Sequence, residues 1–229
     1  MYLVINEIFS SFQGEGLNTG LPTTFVRLSG CNIRCAWCDT RYALDTGSGK
    51  RMEISEIIDS VSAFGNERIC LTGGEPLFQD GIDELISELI RFYFKVDLET
   101  NGTYHLGEII RKYPDVFISM DVKTPSSGEA GSTDPGNLPL LRHSDQIKFI
   151  VKDARDIDYT MDFLRSNPVS CSIIITPCSN EDGDEAARII ARKIDEYRSS
   201  GREDLISMSR RIRLMVQTHR VIWGERRGV

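Results

Sequence analysis

Three cysteines, Cys31, Cys35 and Cys38, fall within eight residues of the stretch GCNIRCAWCDT, with the spacing C-x3-C-x2-C. Soft thiolates crowded this closely point to a metal or an iron–sulfur cluster rather than to disulfide bonds. A four-iron cubane held only by protein takes four cysteines. Three leave one iron with open coordination, where chemistry can occur. The alternative is a structural zinc knuckle, which takes four ligands. No fourth Cys or His lies nearby, the three histidines being His105, His143 and His219.

A second candidate is Thr72-Gly73-Gly74-Glu75-Pro76, directly after the apolar run RICL. Two glycines let the backbone approach a ligand without Cβ interference, and Glu75 offers a carboxylate to an ammonium group. Taken alone, a Gly-Gly pair is only a turn.

These groups need elements to hold them. Short β-branched runs alternate with helical periods. Strands are expected at Thr24–Ser29, Arg68–Leu71, Lys95–Thr100, Val116–Val122, Gln146–Val151 and Cys171–Thr176, with a last apolar run at Arg211–Val216. Between them lie helical stripes: Ile54, Ile57, Ile58, Val61 and Phe64, then Ile82, Leu85, Ile86, Leu89 and Ile90, capped by Asp80. A short helix follows around Ile109 and Ile110. Two later stripes carry Ile157, Met161 and Leu164, and Ile189, Ile190 and Ile194. Such alternation means parallel strands with crossover helices, which an open doubly wound sheet and a βα barrel satisfy equally. The polar and glycine-rich groups all follow strands, where active sites of both folds form. The segment Thr124–Asn137 reads as a polar loop, because the strand–helix pattern resumes after it.

Composition sets outer bounds. The 229 residues suit one barrel-type domain or two small ones and can bury a core without covalent staples. The 27 Lys and Arg against 34 Asp and Glu give a net charge of −7 with no basic block, which argues against nucleic-acid binding. No apolar stretch approaches a membrane span, and the N-terminal MYLVINEIFSSFQ lacks a basic start followed by an apolar run. A reducing, cytoplasmic location is expected, with thiols rather than bridges. Cys70 and Cys171, in apolar runs, are expected to be buried packing residues; Cys178, after a proline, is left open.

The pattern C-x3-C-x-aromatic-C, here Cys31, Cys35, Trp37 and Cys38, resembles the signature of radical S-adenosylmethionine enzymes. Those proteins hold a [4Fe–4S] cluster on three thiolates while the amino and carboxylate groups of S-adenosylmethionine chelate the fourth iron. Their GGEP segment, matched here by Gly73–Pro76, contacts the amino group of that cofactor. Further matches narrow the resemblance to the 7-carboxy-7-deazaguanine synthase family: Phe12-Gln13-Gly14-Glu15-Gly16, FVRLSGCN around Arg27, Asp39-Thr40, KTPSSG at Lys123–Gly128, and the ending HRVIWGERRGV. The resemblance runs the length of the chain and is densest in residues 8–40, 69–76 and 119–128 and at the C-terminus.

That resemblance implies a shortened, distorted, incomplete βα barrel, a single domain over residues 1–229 with its cluster-binding loop at 30–40, and a homodimer. It implies radical ring contraction of 6-carboxy-5,6,7,8-tetrahydropterin to 7-carboxy-7-deazaguanine with loss of ammonia, a step toward the 7-deazapurines queuosine and archaeosine. S-adenosylmethionine is regenerated, and an electron donor such as flavodoxin or ferredoxin is required. The same cysteine spacing also occurs in activases of glycyl-radical enzymes, which consume S-adenosylmethionine and act on a large protein partner.

Site residues carry over by position. Trp37, Cys38, Asp39, Gly74, Glu75, Asp121 and Lys123 match cofactor contacts. Relatives often read Ser-Pro-Lys where this chain has Asp121-Val122-Lys123, so Lys123 keeps the pattern and Asp121 departs from it. Phe12, Gln13 and Gly14 are placed to stack on, bond to and admit a flat heterocycle. Arg27, on a strand lining the barrel, needs an anion, either a pterin carboxylate or an internal Glu or Asp. Thr72 matches a substrate contact. Thr40 matches the position of Mg2+ and offers a hard oxygen ligand, or else caps a helix. The tail alone would read as a frayed end; the resemblance implies instead a terminus folded over the pterin, bringing Val229 to substrate and His219 near the site.

Overall fold

Strand alternation produces a sheet with two unlike faces. In the computed structural model, which describes residues 1–178, 183–224 and 226–229, nine strands form one sheet. They are β1 (Tyr2–Phe12), β2 (Pro22–Leu28), β3 (Lys50–Glu53), β4 (Arg68–Gly73), β5 (Lys95–Thr100), β6 (Phe117–Asp121), β7 (Gln146–Val151), β8 (Ser172–Pro177) and β9 (Ile212–Leu214). Their order is β3-β1-β2-β4-β5-β6-β7-β8-β9. Pairing is parallel from β2 through β9, while β1 runs antiparallel to both β2 and β3. The edges β3 and β9 do not meet, so the fold is a partial βα barrel.

Along each central strand every second residue enters one apolar core: Val26 and Leu28, Ile69 and Leu71, Val96 and Leu98, Ile118 and Met120, Ile147 and Phe149. Helices α1 (Ile54–Ser62), α2 (Ile82–Arg91), α3 (Gly107–Lys112), α4 (Ala154–Ser166) and α5 (Gly183–Arg198) cover that face. Their buried stripes include Ile57, Leu85, Ile86, Ile157 and Ile190. Helix α6 (Glu203–Ser209) adds Leu205 to the core, and α7 (Thr218–Trp223) follows β9. The intervening residues, Arg27, Thr72, Glu99, Asp121 and Lys148 among them, line a cavity on the opposite face. No described helix is long and apolar enough to cross a membrane.

Several local expectations change. β1 and β3 are additional to the strands legible from periodicity; a bulge between Ile5 and Glu7 breaks the alternation of β1. Asp80 does not cap α2, because Gly81 occupies the N-cap without a side-chain bond. Phe64 lies beyond the end of α1, and Phe64 and Ile90 are exposed rather than part of the core. Cys70 and Cys171 are buried as expected, and Cys178 is buried as well.

Candidate functional site

The cysteine loop leaves β2 through Gly30, whose φ of 96° is a left-handed turn that favours glycine. Backbone bonds pin its start, Gly30 N–H donating to Ala43 O at 2.8 Å and Cys31 N–H to Leu44 O at 3.2 Å. The far side is braced by the Thr124–Asn137 loop. Ala36 N–H donates to Ser127 O at 2.8 Å, Arg34 N–H to Glu129 at 2.7 Å, and the Trp37 indole to Ser126 Oγ at 3.0 Å. Asp156 at the start of α4 holds Ser126 in turn. The polar loop thus has a mechanical role that its composition did not reveal.

A cavity of about 250 Å³ opens at the carboxyl ends of the parallel strands. From the cysteine loop, Cys31, Cys35, Trp37, Cys38, Asp39 and Thr40 line it. The β1–β2 hairpin contributes Phe12, Gln13, Gly14 and Arg27. Thr72, Gly74, Asp121 and Lys123 reach it from strand ends, and Val229 from the chain terminus.

Glu75 is the predicted contact that does not line it. Its carboxylate is fully buried and accepts from Asn101 N–H at 2.7 Å, the Thr100 hydroxyl at 2.9 Å and Leu77 N–H at 3.1 Å. Burial pushes its carboxyl up to about 7, against the pull of those three donors. Glu75 therefore ties the glycine loop to the end of β5 instead of presenting a free carboxylate. The glycines also answer to a different neighbour: a Cβ on Gly74 would stand 2.1 Å from the Gly30 carbonyl oxygen. The close approach is to the cysteine loop itself, which Glu75 N–H reinforces by donating to Gly30 O at 2.8 Å.

All three loop thiols are free, and burial raises Cys31 and brings Cys35 to about 11, with nearby Lys123 opposing the rise at Cys35. Cys31 and Cys35 are thereby held as neutral thiols until a strong positive centre stands beside them. Among the described residues, no three His, Cys, Asp or Glu side chains converge as ligands of one metal ion. A cubane makes no such demand, since each thiolate meets a different iron, and the donor set on this cavity fits it. Zinc does not fit. Thr40 begins the turn Arg41–Ala43 without a side-chain cap, which removes the helix-cap reading; its hydroxyl lies 3.6 Å from Cys38 Sγ.

At the other end of the cavity, Arg27 Nε donates to Glu7 Oε1 at 2.7 Å, and its guanidinium lies 5.8 Å from the Phe9 ring and 5.9 Å from the Tyr42 ring. Gln13 and Thr72 converge on one carboxylate, Glu99, at 3.3 and 3.0 Å. Lys123 pairs with Asp121 at 3.0 Å and stands 5.6 Å from the Trp37 ring centre; Asp121 also lies 3.3 Å from Lys148, which bonds Glu15 at 2.6 Å. Burial opposes charge on both lysines, yet the carboxylates beside them hold their pKa values above the ordinary one. Glu7, Tyr42 and Lys148 were absent from the sequence-based site, and Glu15 and Glu99 figured only within a motif and a strand end, without a role. The available signals were charges inside strand-like runs: Lys148 in QIKFIV and Glu99 in KVDLET.

The tail closes over this end. Thr218 N–H donates to Gly14 O at 2.9 Å, and the His219 ring lies so near that a Cβ on Gly14 would meet Nδ1 at 2.2 Å. Arg227 stacks 3.6 Å from the Tyr42 ring centre. Glu225 of that tail lies outside the described residues.

A model of the radical SAM superfamily matches residues 25–192. The 7-carboxy-7-deazaguanine synthase of Thermoplasma acidophilum is 35% identical over 99% of this chain and 100% of its own length. That of Koribacter versatilis is 36% identical over 98% and 99%, and that of Methanospirillum hungatei 39% over 81% and 77%. Among solved structures, QueE from Escherichia coli superimposes with a TM-score of 0.73 at 24% identity, covering 96% of this chain and 95% of that one, a likeness of fold.

Proposed function

This chain belongs to the radical S-adenosylmethionine superfamily and, within it, to the 7-carboxy-7-deazaguanine synthases, and from that premise we propose that it converts 6-carboxy-5,6,7,8-tetrahydropterin to 7-carboxy-7-deazaguanine with loss of ammonia. The observation that carries the reading is the gathering on one cavity of three free thiols, an arginine with unspent donors, and an amide and hydroxyl converging on a carboxylate.

Cys31, Cys35 and Cys38 are the thiolates for a [4Fe–4S] cluster. Trp37, Cys38, Asp39, Gly74, Asp121 and Lys123 would hold S-adenosylmethionine, with Glu75 acting from behind them by fixing the glycine loop. When bound, cluster and cofactor supply the one-electron cleavage and the carbon radical that ring contraction needs.

The chain's own residues orient the substrate. Arg27 spends its Nε–H on Glu7 and keeps its Nη edge for the pterin carboxylate. Glu99 accepts the donor edge of an aminopyrimidinone ring, with Gln13 and Thr72 positioning its oxygens. Phe12 covers the ring at the cavity mouth, Gly14 leaves room beside it, and the tail ending in Val229 excludes water. Thr40 would supply one neutral oxygen to a Mg2+ ion, too little to hold it without substrate. In this reading the protein is a carbon–nitrogen lyase of 7-deazapurine biosynthesis, homodimeric and cytoplasmic, reduced by a flavodoxin or ferredoxin.

Anaerobic turnover of the reconstituted protein with 6-carboxytetrahydropterin and S-adenosylmethionine tests it, the deazapurine being followed by absorbance. Product without net loss of S-adenosylmethionine is expected. Stoichiometric 5′-deoxyadenosine with no deazapurine would favour a glycyl-radical activase instead.

A further inference from the structure

Helix α7 contributes no buried residue, and Val221 and Ile222 are 77% and 50% exposed. Apolar burial therefore holds the C-terminal segment only through the half-buried Trp223, although its end lines the cavity. Something polar must seat it.

The candidate is Glu15. Its Oε1 accepts from Gln217 Nε2 at 2.6 Å, across 202 residues of chain, and its Oε2 accepts from Lys148 Nζ at 2.6 Å. Lys148 stands 3.3 Å from Asp121 as well, but Asp121 is shared with Lys123, so Glu15 completes a set of two ammonium and two carboxylate groups. That balance accounts for one of its oxygens. What Glu15 adds is its other oxygen, aimed at the residue immediately before α7. The Thr218–Gly14 backbone bond sits beside it, and Arg227 makes looser contacts further along, 3.1 Å from Asn6 and 3.8 Å from Glu7. Burial alone would raise the Glu15 carboxyl, but Lys148 overrides this and holds it at about 2, so it stays an acceptor at any working pH.

We propose that Glu15 is a positioning residue that latches the C-terminal strap to the inner face of the sheet, holding His219, Arg227 and Val229 at the substrate end of the cavity. Lys148 and Asp121 set the latch by fixing the carboxylate. The substrate consequence rests on the pterin reading above; the mechanical one does not.

Two variants separate these. Gln217→Ala removes the strap side of the latch from a position outside every strand and helix, and Glu15→Gln weakens the sheet side, leaving Lys148 with the Asp121 carboxylate that Lys123 shares. Trypsin is applied to the reconstituted protein without pterin or S-adenosylmethionine, and cleavage after Arg220, Arg226 and Arg227 is followed by mass spectrometry. Cleavage about tenfold faster than wild type is expected in both, as for loss of one hydrogen bond to a charged group. In turnover, the KM for pterin should rise about tenfold while the KM for S-adenosylmethionine and the iron content stay near wild type, a split that general loosening of the fold does not produce. Unchanged cleavage overturns the latch, and faster cleavage with an unchanged pterin KM overturns its positioning role. Should wild type fail to turn over the pterin, that failure falls on the substrate reading, and the proteolysis alone decides the latch.

Discussion

Glu7 and Arg27 are register partners across the antiparallel β1–β2 ladder, joined at 2.7 Å through Nε, while Tyr42 donates its hydroxyl to the same Glu7 oxygen at 3.0 Å. The internal acidic partner expected for Arg27 is therefore Glu7, and among the described residues no hydrogen bond takes the Nη edge. Arg27→Lys keeps the charge and loses the planar fork. The kcat/KM for pterin should fall roughly tenfold to a hundredfold, the range of a hydrogen bond to a charged group. Binding of S-adenosylmethionine measured by calorimetry should not change; equal losses for both ligands would assign Arg27 to the architecture instead.

Gly74 meets the Gly30 carbonyl so closely that a Cβ has no room. Gly74→Ala must push the cysteine loop away from the end of β4, at a cost of roughly 1–3 kcal/mol. A melting temperature lower by several degrees and poorer iron retention after reconstitution are the expected results. Full iron content at an unchanged melting temperature would contradict the packing described.

Glu75 gives a pH signature. Its folded pKa of about 7 lies above the ordinary carboxyl value of 4.5, so the fold prefers the protonated acid. Its contribution to stability is complete below about pH 4.5 and is lost as pH rises through 7. The melting temperature of the iron-free wild type minus that of Glu75→Gln should therefore shrink between pH 5 and pH 8. A difference that stays constant across that range would remove the burial argument.

The two termini differ in what they touch. Val229 lines the cavity, whereas Met1 is 64% exposed. A hexahistidine extension on the C-terminus should depress pterin turnover several-fold, and the same extension on the N-terminus should leave it near wild type. Equal rates for the two would show that the strap does not close the site.

Residue types and local spacing were legible in the chain itself. The C-x3-C-x2-C loop, the glycines before Glu75 and the placement of polar groups after strands needed no coordinates, because each depends on neighbours a few residues away. The same holds for the βα alternation, since apolar period is a property of short windows. That alternation could not distinguish an open sheet from a barrel, which depends on how distant strands pair.

Tertiary structure decided the partners. Leu3 and Ile5 face the core, and a bulge before Glu7 turns the following odd positions of β1 toward the cavity, which is how Glu7 comes to oppose Arg27. Nothing in the alternation of YLVINEIFSSF announces that switch. Glu75 found one donor in its own turn, at Leu77, and two at the end of β5, at Thr100 and Asn101, and gave up the free carboxylate its sequence context suggested. Glu15 found Gln217 only when the end of the chain returned to its beginning. A residue's type sets which bonds it can make, but burial and chain closure determine which are left over for a ligand.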